Sequence, residues 1–170
     1  AMLSPAEQAE ADRHKAELDH HIIDAVLKND TVAIERLAAE GASPDAKSGQ
    51  HSHPAVWLAA NAGHAESVSA LARLGADLNA TNDWGGTALT KAAERGKVEC
   101  VQVLLDAGAD RSLRVESEAS IFKGKTALHI AKKYKHKAVA KALKSKPKDV
   151  AEQKKAKAEP AGEPAGAGAA

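Results

Sequence analysis

Apolar positions along the chain fall into short stripes that come in pairs. From residue 87 onward, Leu89, Ala92 and Ala93 share one face at helical spacing, and the paired alanines keep that face thin enough for close packing. Gly96 interrupts the pattern. Val98, Val101, Leu104 and Leu105 then mark a second stripe, which stops at Gly108. The spacing predicts a short helix, a turn and a longer helix. Thr87 is placed to cap the first, and Gly108 to end the second in a left-handed turn. Before them, Asp83-Trp84-Gly85-Gly86 reads as a tight turn, because glycine reaches positive φ without penalty. Two helices this short cannot bury their stripes alone and need neighbours of the same kind.

The neighbours are in the sequence. Pro54 to Ala60 aligns with Thr87 to Ala93, Gly63 with Gly96, and Gly75 with Gly108, always 33 residues apart. Gly41 precedes Gly75 by 34 residues, so one extra residue falls in the turn at 47–53. Thr126 follows Thr87 by 39, so six extra residues are expected near Leu113 to Ile121. Upstream, Ile22, Ile23, Val26 and Leu27 form one stripe, and Val32, Ile34 and Leu37 another. Downstream, Ala138, Val139, Ala142 and Leu143 form the last, without a closing Gly-Ala-Asp. Ser4-Pro5-Ala6-Glu7 carries a cap, a first-turn proline and a capping-box glutamate. Residues 5–18 hold few large apolar groups and are expected to form a leading helix covering the open end of the stack.

These features resemble ankyrin repeats: the 33-residue spacing, Thr126-Ala127-Leu128-His129, Ala59-Ala60 followed by Gly63-His64, Leu104-Leu105, and Gly75-Ala76-Asp77-Leu78-Asn79-Ala80. The resemblance covers about residues 19–144. It implies an all-α solenoid of about four helix-turn-helix repeats: a leading helix at 1–18, repeats at about 19–46, 47–79, 80–112 and 113–144, and a disordered tail at 145–170. The family mostly binds proteins through its hairpin tips and the concave face of its first helices, and shares neither catalytic residues nor a cofactor. Carried onto this sequence, the tip positions are Gln50, His51 and His53; Asp83, Trp84 and Gly86; and Phe122, Lys123 and Lys125. The concave positions are Asn61 and Ala62, Glu94 and Arg95, and Lys133 and Tyr134. Pro54 stands where the family has Thr, and Trp57 and Thr90 where it has His. The family's Thr–His hydrogen bond is therefore expected only between Thr126 and His129.

Composition narrows the function. The core residues are mostly Ala, Leu and Val, with two Trp, one Tyr and one Phe. The lone Cys100 excludes an internal disulfide and reads as a small buried residue. The first residues lack the apolar core of a signal peptide, and no apolar run reaches membrane-spanning length. A monomer in the cytoplasm is expected, with the nucleus also open. The pair His51 and His53, with His20-His21, lacks Cys or carboxylate at ligand spacing, so no metal site is expected. No nucleophile, base and orienting group come together, so catalysis is not expected.

Charge adds one asymmetry. Residues 1–122 carry 11 Lys and Arg against 19 Asp and Glu, whereas residues 123–170 carry 13 Lys against 4 acids. Pro147 should end the last helix, and from Ser145 onward the only large aliphatic is Val150. That tail should be disordered, with a transient helix at 149–158. The basic C-terminus offers an alternative function, electrostatic binding of nucleic acid or anionic membrane. A further alternative is a structural subunit of a larger assembly. The favoured partner site is a patch with Trp84 central, Phe122 flanking, and Arg95 and Tyr134 at the inner rim, since aromatics and Arg dominate interface energy. The competing reading folds both aromatic rings back onto the inserted loop. Trp57, between a turn and two alanines, is expected to pack.

Overall fold

The structure is a computed structural model that describes residues 2–145. The expected tail, the helix stop at Pro147 and the transient helix at 149–158 lie outside the described residues. The elements run α1 (Pro5–Leu27), α2 (Thr31–Ala39), β1 (Lys47–Ser48), β2 (His53–Pro54), α3 (Ala55–Ala62), α4 (Ala65–Arg73), α5 (Ala88–Arg95), α6 (Val98–Asp106), α7 (Ala127–Lys133) and α8 (Lys137–Lys144). The C-terminal part of α1 with α3, α5 and α7 forms an inner row. Helices α2, α4, α6 and α8 form an outer row against it. Helix starts reproduce the sequence spacing, since α4 and α6 begin at 65 and 98, and the longer interval to α8 at 137 holds the insertion.

The core runs along the stack without a break. Its fully buried side chains include Ile22, Ile34, Val68, Leu71, Leu89, Val101, Leu104 and Val139. The alanine pairs at 59–60 and 92–93 are also fully buried, so they set how closely the inner helices approach. Cys100 is fully buried on α6, and burial pushes its thiol up to about 11, which keeps it protonated and inert. Gly96 ends α5 at φ +69°, and a Cβ there would sit 2.7 Å from the His136 ring. That ring bonds the Glu94 carbonyl through Nε2 at 3.0 Å, and His64 reaches the Leu27 carbonyl in the same way at 3.1 Å. Each histidine thus ties one repeat to the end of the inner helix before it.

The leading helix departs from expectation. No boundary separates residues 5–18 from the first repeat: α1 is continuous over 23 residues. Residues 2–17 are exposed, so this part projects into solvent and does not cover the open end of the stack. The reason is composition, because between Pro5 and Glu17 there is no apolar side chain larger than alanine to bury. Local bonds hold it instead. Ser4 Oγ accepts from the Glu7 amide at 3.3 Å while Glu7 accepts from the Ser4 amide at 2.8 Å. Lys15 pairs with Asp19 one turn on.

Three large apolar residues assigned to stripes are exposed: Leu27, Val32 and Val98. Each lies at the first, second or last position of its helix, beyond the reach of the neighbouring helix. Ala138, near the start of α8, is also exposed. The first hairpin forms a small antiparallel ladder, Lys47 opposite Pro54 and Ser48 opposite His53. Among the described residues it is the only departure from an all-α fold beyond single bridges such as Thr81–Thr87 and Arg114–Thr126. No described helix is long and apolar enough to cross a membrane.

Candidate functional site

The hairpin between α4 and α5 is built around Asn82. Its side chain is 6% exposed, and its Oδ1 accepts from the amides of Trp84 at 3.1 Å and Gly86 at 2.9 Å. This is an Asx turn, the device by which Asn replaces a backbone acceptor. With Oδ1 occupied, the amide nitrogen faces His53 Nδ1 at 3.1 Å. Nδ1 must then accept, and the ring proton belongs on Nε2. The His53 ring lies flat on Trp57, centroids 4.0 Å apart and 8° between planes. Burial pushes the His53 imidazole below its ordinary value. The charges of His51 and Lys91 push the same way, and Asp83 opposes them.

Next to His53, the His51 ring packs at a 35° tilt against Trp84, centroids 3.9 Å apart, and the Asp83 amide donates to the His51 carbonyl at 3.1 Å. That backbone bond joins the first hairpin to the second. His53 is a packing residue rather than a free tip contact. Trp84 keeps 39% of its surface exposed, so it is held on one side and open on the other.

The inserted loop supplies the facing wall. Val115, 2% exposed, pins it: its amide donates to the Lys125 carbonyl at 3.1 Å and its carbonyl accepts from the Gly124 amide at 2.7 Å. The loop passes so close to the second hairpin that a Cβ at Gly85, φ +69°, would meet the amides of Glu116 and Ser117 at 3.1 Å. Between these walls lies a groove of about 370 Å³. Trp57, Trp84, Val115, Ile121 and Phe122 line it, with the Lys91–Glu94 pair among its polar groups. The Lys91 ammonium is 2.8 Å from Glu94 Oε2 and 5.1 Å from the Trp57 ring centroid, so its charge is already answered from within.

The expected site residues divide. Trp84, Gly86, Glu94 and Phe122 line the groove. Tyr134 meets Phe122 edge-on at 6.0 Å, and the Lys133 ammonium lies 5.4 Å from the same ring. Lys123 pairs with Glu118 of the inserted loop, and Lys125 holds Val115. Arg95, placed at the inner rim by sequence, instead donates Nε–H to Asn61 Oδ1 at 3.1 Å across the concave face and does not line the groove. Gln50 stands exposed at the first tip. Sequence reasoning missed Asn82, Lys91 and Val115. Asn82 carried a signal, an Asn two residues before Trp-Gly in a turn; the other two depend on where the loop travels.

The arrangement offers a largely apolar slot. No described group of three or more His, Cys, Asp or Glu is placed to hold a metal ion. The family model for ankyrin repeats (3 copies) matches residues 22–115 and 56–155. The E3 ubiquitin-protein ligase KEG of Arabidopsis thaliana is 33% identical over 98 residues, which is 58% of this chain and 6% of the ligase. The chain thus spans a small fraction of that relative's length. Spacing, helix order and family match agree: the chain belongs to the ankyrin-repeat family, whose repeats are generally non-enzymatic modules for protein–protein interaction.

Proposed function

We propose that the chain is a non-catalytic adaptor whose protein partner seats a large apolar side chain in the groove between Trp84 and Phe122. The groove itself carries the reading. It is concave, walled by aromatics, and rimmed by Ile121, whose side chain is 77% exposed. Exposed large apolar groups gathered at one concavity mark interaction sites. Asp83, Lys123, Lys133 and Tyr134 border the slot. Gln50, His51, Asn61 and Arg95 extend the surface along the tips and the concave face. The chain acts as a monomer in a reducing compartment such as the cytoplasm. Polyanion binding through the basic C-terminus finds no support in the comparisons.

Trp84→Ala tests the reading. The ring is half open and stacks only on tip residues, so melting should shift little. Affinity for a partner captured from native extract at high salt should fall by about 2 kcal/mol, the size of an interface hot spot. A drop in Tm with unaltered binding would remove Trp84 from the site.

A further inference from the structure

The groove is electrically lopsided, and this bears on what enters it. Residues 123–145 hold eight lysines and no Asp or Glu. Among the described residues only Lys123 of these has a carboxylate partner, Glu118. Of these, Lys123 and Lys125 follow Phe122 in the sequence, and Lys133 reaches its ring. Lys133 overlies the Phe122 ring, and Lys125 fixes the Val115 wall through its carbonyl. At the other end, Glu94 is neutralised by Lys91. The carboxylates left at the rim are Asp83 on the Trp84 turn and Glu116 against Gly85.

Resting on the reading of the groove as a protein-binding slot, we infer that its occupant is an acidic peptide segment with one bulky apolar anchor. The anchor lies between Trp84 and Phe122, and Asp or Glu on one side of it meets Lys125 and Lys133. Three features set this chemistry. The slot is apolar where Trp84, Ile121 and Phe122 face it, so it rewards burial of a large side chain. Its internal cation is already paired, so no buried charge is left asking for a partner. Residues 123–145 beyond Phe122 bring lysines and no acid, with only Lys123 met by a carboxylate, which favours carboxylates and rejects a basic segment. The spans agree, because an extended chain rises about 3.3 Å per residue. Acids two to four residues from the anchor therefore reach about 7–13 Å, from the slot onto α7.

The test is a random twelve-residue peptide library displayed on phage and panned on the full chain near physiological salt. Enriched peptides are then synthesised with a fluorescent label and titrated by polarisation. The expected sequences pair Phe, Leu, Trp or Met with acids on one side. Trp84→Ala and Ile121→Asp should each weaken them about tenfold or more, a loss of about 1.4 kcal/mol. Ile121 is mostly exposed, so its replacement leaves the fold intact, and circular dichroism melts confirm this for every variant. Lys125→Glu with Lys133→Glu should weaken binding about tenfold and flatten its salt dependence.

Uncharged or basic peptides that still need Trp84 and Ile121 would overturn the acidic partner and leave the groove reading standing. Peptides indifferent to Trp84→Ala and Ile121→Asp, or no enrichment at all, would overturn both. Equal competition by heparin, unaffected by Trp84→Ala, would mark a polyanion surface and overturn the peptide proposal.

Discussion

The third repeat, α5 with α6, and the fourth, α7 with α8, follow one template in different surroundings. Both open on Thr followed by Ala-Leu, and both bury Ala and Leu or Ile on the same face. In the third, Thr87 Oγ1 accepts from the Thr90 amide at 3.2 Å, and Thr90 Oγ1 donates to the Thr87 carbonyl at 2.8 Å. In the fourth, Thr126 Oγ1 meets His129 Nδ1 at 2.8 Å. Helix α6 lies between α4 and α8, whereas α8 packs chiefly on α6 and α7 among the described elements. The helices of the third repeat mix charges, and those of the fourth carry lysine only. A repeat flanked on both sides is constrained by packing. The repeat at the end of the described stack is released from part of that constraint, and the insertion and the charge bias are found there.

Leucines at matching positions give the largest test. Leu104 in α6 is fully buried, and Leu143, its counterpart in α8, is 4% exposed. Leu104→Ala opens a cavity between stacked repeats and should cost about 2–5 kcal/mol. Leu143→Ala should cost less than about 2 kcal/mol, because stability in a stack is a sum of neighbour interfaces and a terminal unit frays locally. Urea midpoints for global stability and hydrogen exchange for local opening separate the two. Equal losses would mean that α8 is as firmly flanked as α6.

Much of the stack was legible because its core is periodic. Leu89, Ala92 and Ala93 share a face whatever lies beyond them, and Gly96 stops α5 through its own backbone. Errors fell where periodicity runs out. Val98, Val32 and Leu27 match the helical period but sit at helix ends, where no neighbour reaches them. Residues 5–17 have helical signals and caps but nothing large to bury, so they form a helix that packs on nothing described. Trp84 and Phe122 stand in successive turns of the sequence, and both line the groove. The grip of Asn82 on that turn, the anchor at Val115 and the position of Lys91 over Trp57 follow from loop paths, which no local pattern encodes. Arg95 turns to Asn61, a partner in another repeat that no local pattern names.

Acid should loosen the tip interface before it loosens the fourth repeat. His53 is held neutral in the fold, chiefly by burial, and its Nδ1 accepts from Asn82. The unfolded chain takes up a proton near the ordinary histidine value of about 6.5, and the folded chain resists it. The stabilisation is therefore complete above about pH 6.5 and is lost as pH falls through and below that value, until the folded state also protonates. Protonation at Nδ1 would set two donors face to face and release Asn82 from the Trp84 turn. Denaturant titrations at about pH 7.5 and about pH 5 should show an acid loss that His53→Gln reduces. Equal losses in both proteins would place the pH sensitivity on other groups.

The smallest effect concerns how the inner helices end. Gly96 after α5 has φ +69°, and Lys135 after α7 has φ +60°. Both chains turn left-handed at the same point of the template. Glycine does so freely, whereas a side chain with Cβ crowds its own carbonyl at a cost of about 1 kcal/mol. Lys135 also stands between Lys133 and Lys137 in a segment without acids. Lys135→Gly removes the backbone penalty and one like charge, against a larger entropy loss on ordering glycine. The difference should leave the protein more stable by about 0.5 kcal/mol. The gain should appear as slower hydrogen exchange in α7 and α8, with α5 and α6 unchanged, because the strain relieved is local to the fourth repeat. A loss of stability would show that the Lys135 side chain makes contacts worth more than the strain of its backbone, and that the fourth repeat departs from glycine for a packing reason.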